Sequence, residues 1–355
     1  MKQCKRILAG MMACALLLVL PLPASAAGET GAIHILNTGW EDAIILESGG
    51  HYALIDAGEP GRGPYIVDYL QRLAGSDTVH LDFIIGTHSH VDHMGGFPYI
   101  LEHPGVTIGT AYAKRESGEI PGDPADRGHY QSFVAGCEAK GIKLVLDGLD
   151  NLALTLGDMK VTLLNGAPLT GDPTKLNPES LCQLVEIGGH MALLAGDMVT
   201  KEKESGVSKQ AGSAIDLLKV GHHGMGDSTG KDFAKAITPK AAVYTNGSSW
   251  EVDSQDATLG AAKARKSYFY LKDVGTIQYA TTDNGGIMAA FGANGMELRP
   301  IKEFTKRGEP LVCETRGEIT LCPLPEPRLR FFERIPRFFT VLFQRIGGWL
   351  WNFFI

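Results

Sequence analysis

The sequence predicts an α/β fold whose chemistry lies where buried strands break into loops. Two observations carry this. Apolar runs of strand length recur along the chain, and four of them end in an acid, a glycine or a histidine: Tyr52 to Asp56, Leu81 to Ile85 ahead of Thr87-His88-Ser89-His90-Val91-Asp92-His93-Met94-Gly95-Gly96, Ala192 to Asp197, and Leu217 to Gly224. Open α/β sheets place their ligands at such strand ends. In addition, 44% of the 355 residues are hydrophobic, enough for a substantial core without disulfides.

Taken in order, Tyr52-Ala53-Leu54-Ile55 reads as a strand ending on Asp56-Ala57-Gly58. Gly61 to Ala74 then predicts a helix, because Pro64, Ile66, Val67, Tyr69, Leu70 and Leu73 fall at helical spacing. Leu81 to Ile85 is a buried strand. Ile142 to Leu146, Met159 to Leu164, Ala241 to Thr245 and Ile287 to Phe291 are further strands, and Leu176-Asn177-Pro178-Glu179-Ser180 is a turn into another. No repeat or low-complexity block appears. The 44 glycines suit a fold with many strand-to-loop turns.

The segment from Thr87 to Gly96 packs three imidazoles and one carboxylate, His88, His90, Asp92 and His93, into six positions. Neutral imidazole nitrogens and carboxylates are the ligands that Zn²⁺ and its borderline neighbours prefer. Residues two apart on an extended segment point the same way, so His88 and His90 can grip one ion while Asp92 and His93 fall toward a second.

In this order, His-Ser-His-Val-Asp-His-Met-Gly-Gly, Leu-Ala-Gly-Asp and Leu-Lys-Val-Gly-His-His-Gly resemble the metallo-β-lactamase superfamily over roughly residues 31 to 295. The wording looks most like the branch with the C-terminal domain of bacterial DNA-uptake competence proteins and the surface phosphorylcholine esterases. The resemblance implies a four-layer αββα sandwich and a metal-dependent phosphodiester hydrolase. Carried over by position, it puts His88 and His90 on a first metal, Asp92, His93 and His222 on a second, and Asp197 between them. Asp56 is expected to hold a ligand histidine by its free ring N–H. The expected cofactor is Zn²⁺, as two ions with one-ion operation as the second reading, and Mn²⁺ is the alternative metal.

Departures from the superfamily pattern matter too. Most members supply a third histidine to the first metal, and the candidates here, His103, His129 and His190, do not sit convincingly. Where the branch has Asp-Val-Gly-Gln-Gly-Asp-Ala, this chain has Asn37-Thr38-Gly39-Trp40-Glu41-Asp42-Ala43. Trp40 is therefore a candidate substrate contact at the pocket edge. Asp92 and His223 are the candidate catalytic groups. His223 reads either as an electrophilic or general-acid group facing the phosphate or as a backbone-bonded support for His222. Asn177 and Ser180 read as substrate donors or as caps of their turn.

The two ends are distinct from this body. Residues 1–26, with Lys2, Lys5 and Arg6, an apolar run from Met11 to Leu20 and Ala24-Ser25-Ala26, read as a signal peptide, so the protein is expected outside the cytoplasm. The catalytic domain is expected over 27–300. A linker over 301–327 carries a proposed Cys313–Cys322 loop, and Cys182 reads as a buried free thiol. Residues 328–355 interleave Phe331, Phe332, Phe338, Phe339, Phe343, Trp349, Trp351, Phe353 and Phe354 with Arg330, Arg334, Arg337 and Arg345. An amphipathic helical tail at the membrane surface is the expectation, with packing on the body as the alternative.

The formal net charge is −7, and the leader and tail are both basic, so the body between them is strongly acidic. Phosphate-backbone binding draws on clustered Lys and Arg. The expected substrate is a small or cell-envelope phosphodiester, with long nucleic acid disfavoured. A metallo-hydrolase of lactones, thioesters or β-lactams, and a non-catalytic surface protein of the same fold, are the alternatives.

Overall fold

The computed structural model describes residues 31–116, 124–169, 176–245, 259–281, 286–292, 295–301, 314–316 and 319–321. The expected signal peptide and aromatic tail lie outside these residues. So do Cys313 and Cys322.

The chain builds one sheet, crosses to a second, and returns. β1 (Gly31–Ile35), β2 (Ile44–Ser48) and β3 (His51–Ile55) form an antiparallel meander, and β4 (Val79–Gly86), β5 (Val106–Ala113) and β6 (Lys143–Val145) add in parallel beyond β3. The second sheet has β7 (Ala153–Leu156), β8 (Met159–Leu164), β9 (Cys182–Ile187) and β10 (His190–Leu194) running antiparallel. β11 (Leu217–Lys219), β12 (Ala241–Tyr244) and β13 (Ile277–Ala280) continue parallel to β10. β14 (Ile287–Gly292) then returns to pair with β1, and β15 (Gly295–Pro300) follows it.

The strands expected from sequence at Met159–Leu164, Ala241 onward and Ile287 onward are β8, β12 and β14. The helix expected over Gly61 to Ala74 is α1 (Gly63–Ala74). Two short strands, β16 (Glu314–Arg316) and β17 (Ile319–Leu321), extend the first sheet inside the stretch expected as a linker. Thr315, Ile319 and Thr320 are β-formers.

Three apolar clusters define the layers. Ile33, Ile35 and Ile85 from the first sheet meet Leu163, Val185 and Leu194 from the second, forming the core between the sheets. The outer face of the first sheet, through Leu54, Leu81 and Ile84, buries Ile66 and Leu70 of α1, Ile100 of α3 (Phe97–Glu102) and Phe133 of α4 (Pro124–Ala139). A four-residue helix, α2 (Val91–Met94), precedes α3. The second sheet's outer face takes Val207 of α5 (Lys201–Ala211), Phe233 of α6 (Lys231–Ile237) and Leu271 of α7 (Leu259–Asp273). The result is the four-layer αββα sandwich. Each buried Leu, Ile or Phe contributes about 1.5–3 kcal/mol relative to exposure, which is why amphipathic helices cover both outer faces.

The register also gathers the functional segments at one edge. Ile55 stands opposite Ile85 on parallel strands, so Asp56 and Thr87 emerge together. Leu194 stands opposite Lys219, and Lys219 opposite Val243, so Asp197, the double histidine and Thr245 emerge from the adjoining ends of the second sheet. The Leu181 amide donates to the Thr87 carbonyl at 3.0 Å and closes the sandwich at that edge.

Candidate metal centre

Asp92, His93, Asp197 and His223 bring one nitrogen or oxygen each within 4.8 Å of one another, and His88, His90 and Asp197 do the same. Asp197 belongs to both groups. In the first, His93 Nε2 lies 3.3 Å and His223 Nε2 3.4 Å from the Asp197 carboxylate, and His223 Nε2 lies 3.2 Å from Asp92. In the second, His88 Nε2 faces His90 Nδ1 at 2.9 Å and Asp197 at 3.9 Å.

The expected membership changes at one position: His223, not His222, joins Asp92 and His93. The cause is backbone. His222 and His223 both adopt left-handed conformations (φ 45° and 50°), so consecutive side chains leave the turn in different directions. His222 Nδ1 faces Asp227 at 2.7 Å and its Nε2 faces Asn177 Nδ2 at 2.9 Å, with Asp197 3.8 Å away. Because Asp227 can only accept, His222 donates from Nδ1 and accepts the Asn177 amide at Nε2.

The turn is secured from outside. The His222 amide and the fully buried Lys219 Nζ both donate to the Gly196 carbonyl at 3.0 Å, and Ser228 Oγ donates to the Gly221 carbonyl at 2.6 Å. Gly196 itself needs a φ of +50°, and a Cβ there would stand 3.1 Å from Ser180.

Behind the donors stands a layer of buried partners. His93 Nδ1 donates to Asp56 at 2.7 Å. His223 Nδ1 donates to Thr245 Oγ1 at 2.9 Å, and that hydroxyl donates onward to Asp42 at 2.7 Å. Asp42, which also pairs with Lys219, and Thr245 are missing from the sequence reading. Asp42 was visible only as the surviving Asp of Gly-x-x-Asp-Ala, and no spacing ties Thr245 to it. Both bonds leave the Nε2 atoms turned toward the acids. Ser180 Oγ accepts the Asp197 amide at 3.1 Å, which makes Ser180 a support of the centre.

The electrostatics match a cation site. Burial would raise the Asp197 pKa, yet His223 and His93 outweigh it and hold the carboxyl well below the usual range. Burial would lower His223, but Asp197 and Asp42 carry it up to about 10, and Asp197 and Asp56 likewise hold His93 well above 6.5. His88 is held well below 6.5 by burial and by the neighbouring His93 and His90. Protons thus occupy lone pairs that face carboxylates. His93 Nε2 and Asp197 Oδ1 are buried without a hydrogen-bond partner. Converging nitrogen and carboxylate donors with orphaned atoms fit divalent metal ions.

A cleft of about 450 Å³ opens beside His90, walled by Asn177, Pro178, Val199, Thr200 and Asp227. Trp40 is 52% exposed on the loop two residues before Asp42. The third-histidine candidates stay outside both groups: His190 pairs with Asp216, His103 accepts the Gly105 amide, and His129 lies on α4. Cys182 is a buried free thiol, as expected.

The Metallo-beta-lactamase superfamily signature matches residues 41–245. Among curated proteins the chain is 28% identical over 216 residues to ComE operon protein 3 of Bacillus subtilis and 23% identical over 226 residues to Competence protein ComA of Neisseria gonorrhoeae. These matches span 59% and 63% of this chain but 26% and 28% of the relatives, so it covers about a quarter of their length. Among solved structures, the metallo-beta-lactamase fold protein YhfI of Bacillus subtilis aligns over 70% of this chain and 96% of its own. Its TM-score is 0.45 at 16% identity.

Proposed function

Because the chain belongs to the metallo-β-lactamase superfamily, we propose that it is a metal-dependent hydrolase that cleaves a small or cell-envelope phosphodiester. The observation that carries this reading is Asp197, shared by two groups of nitrogen and carboxylate donors at one sheet edge. His88 and His90 would hold one ion, Asp92, His93 and His223 the other, with Asp197 common to both. Bound there, a metal pair lowers the pKa of a water and neutralises charge at phosphorus.

The chain's own residues do the rest. Asp56 and the Thr245–Asp42 pair fix the ring protons of His93 and His223 on Nδ1. Asp227 and Asn177 hold His222 beside the cleft, where it can meet a substrate oxygen. His222 therefore takes the substrate-facing role that the sequence reading gave His223. Zn²⁺ is the proposed ion. The likeness of the branch and the acidic body favour a compact phosphodiester over long nucleic acid.

Export is part of the proposal, resting on the leader-like residues 1–26, and the aromatic, Arg-rich stretch from 328 is proposed to meet a membrane surface. No helix among the described residues is long and apolar enough to cross a membrane. The test is metal content of the purified protein together with turnover of bis-p-nitrophenyl phosphate, p-nitrophenyl phosphorylcholine and nitrocefin. About two metals with phosphodiester turnover supports the reading. Turnover of nitrocefin alone replaces it with a β-lactam hydrolase, and a protein that takes no metal overturns it.

A further inference from the structure

Asp56 contacts His93 of one donor group directly and reaches His88 of the other through Thr87. Its Oδ2 accepts from His93 Nδ1 and from the Thr87 hydroxyl, each at 2.7 Å, and its Oδ1 accepts the Thr87 backbone N–H at 2.8 Å. The Thr87 hydroxyl owns one proton, and the carboxylate takes it. Toward His88 Nδ1, 3.1 Å away, that hydroxyl can only accept, so the proton of this contact sits on His88 Nδ1. His88 Nε2 is thereby turned toward His90 and Asp197, as His93 Nε2 is turned toward Asp92 and Asp197.

Thr87 has little freedom to abandon this arrangement. It is buried, its carbonyl accepts the Leu181 amide from the opposite sheet at 3.0 Å, and its Cβ lies 3.3 Å from where a Cβ on Gly196 would stand. Sequence spacing marks the histidines and not this neighbour.

We propose that Thr87 is a positioning residue that ties His88 to the Asp56 carboxylate, so that one buried acid orients a ligand of each donor group and loading of the two metal positions is coupled. The proposal rests on the metal-centre reading above. An ion that fixes His93 fixes Asp56, then the Thr87 hydroxyl, then the His88 ring, and by reciprocity an ion on His88 and His90 strengthens the position at His93.

The experiment titrates the full chain with Zn²⁺ or Co²⁺ alone against a chromophoric chelator, as wild type, Thr87→Val and Thr87→Ser. The expected result is two linked stepwise constants in the wild type. Thr87→Val should weaken the His88 and His90 position about 10- to 100-fold, the usual cost of losing an outer partner of a ligand, and should remove the linkage. Thr87→Ser, which keeps the hydroxyl, should restore both.

Unchanged constants in Thr87→Val, or a folded Thr87→Ser that behaves like Val, would overturn the proposal. If Thr87→Val does not fold, Asp56→Asn decides: it must weaken both constants, and weakening of one alone overturns the coupling. A wild type that binds no metal overturns the underlying reading instead, which separates the two failures.

Discussion

His222 and His223 are consecutive, yet their ring centroids stand 6.2 Å apart and serve different neighbours: His223 faces Asp92 and Asp197, and His222 faces Asp227 and Asn177. The two substitutions should therefore fail differently. His223→Ala should lose metal from the Asp92 and His93 position. His222→Ala should keep its metal and lose turnover; a hydrogen bond to a charged substrate oxygen is worth about 1.5–3 kcal/mol, or roughly 10- to 100-fold in kcat/KM. Metal analysis beside phosphodiester kinetics checks this, and equal metal loss in both variants would show that His222 is a ligand as well.

Asp197 is the one donor common to both groups. Asp197→Ala should empty both positions and abolish turnover, whereas His90→Ala should weaken one position and leave the other. Stoichiometry by elemental analysis distinguishes them. An active, metal-replete Asp197→Ala protein would sink the two-metal account.

Metal uptake should depend on pH in a definite direction. His223 keeps its proton up to about 10 in the metal-free protein, because Asp197 and Asp42 outweigh the burial that would lower it. A metal must displace that proton, so affinity should climb as pH rises from 6 to 9, by about tenfold per unit for each proton released. Metal-free stability runs the opposite way. The His223 pKa is raised above its ordinary 6.5, so its stabilisation is complete below 6.5 and is lost as pH rises through about 10. Calorimetric titration in buffers of different ionisation enthalpy counts the protons.

Glu204 predicts a second pH effect, away from the centre. It is buried and accepts the Gly230 amide at 3.0 Å, and burial pushes its pKa to about 7 from 4.5. A raised folded pKa stabilises below 4.5 and loses that contribution as pH climbs through 7. Glu204→Gln keeps an acceptor without the charge. Its Tm relative to wild type should therefore rise between pH 5 and pH 8, and a flat difference across that range would refute the assignment.

Gly224 closes the histidine turn at φ +82°, and a Cβ there would stand 2.3 Å from the buried Tyr244 ring. Left-handed backbone costs an L residue about 1–2 kcal/mol, and overpacking adds about 1–3 kcal/mol. Gly224→Ala should lower stability by about 2–5 kcal/mol on denaturant unfolding and weaken metal binding at His223. A variant within about 0.5 kcal/mol of wild type, the scale of a neutral surface change, would refute this.

Much of this molecule is legible in one dimension. Apolar runs of strand length marked β3, β4, β8, β10, β11, β12 and β14, because burial on both faces of a sheet in a sandwich demands continuous Val, Ile, Leu and Ala. The spacing of His88, His90, Asp92 and His93 announced a metal centre, because ligands on one strand-to-loop segment are neighbours both in the chain and in space. What the chain by itself determined was thus the fold class and the donor-rich edge, while Asp197 as the acid between two metals was what the family resemblance implied.

Tertiary structure alone decided which of two adjacent histidines faces the acids, since the two left-handed residues set ring directions that position in the chain does not record. It alone supplied Asp42, Thr245 and Thr87 as partners of the ligand rings. Asp42 lies in the loop before β2 of the first sheet and Thr245 just after β12 of the second, and they meet because sheet packing brings those ends to one edge. Contacts of that kind carry no local period, so no spacing along the sequence records them.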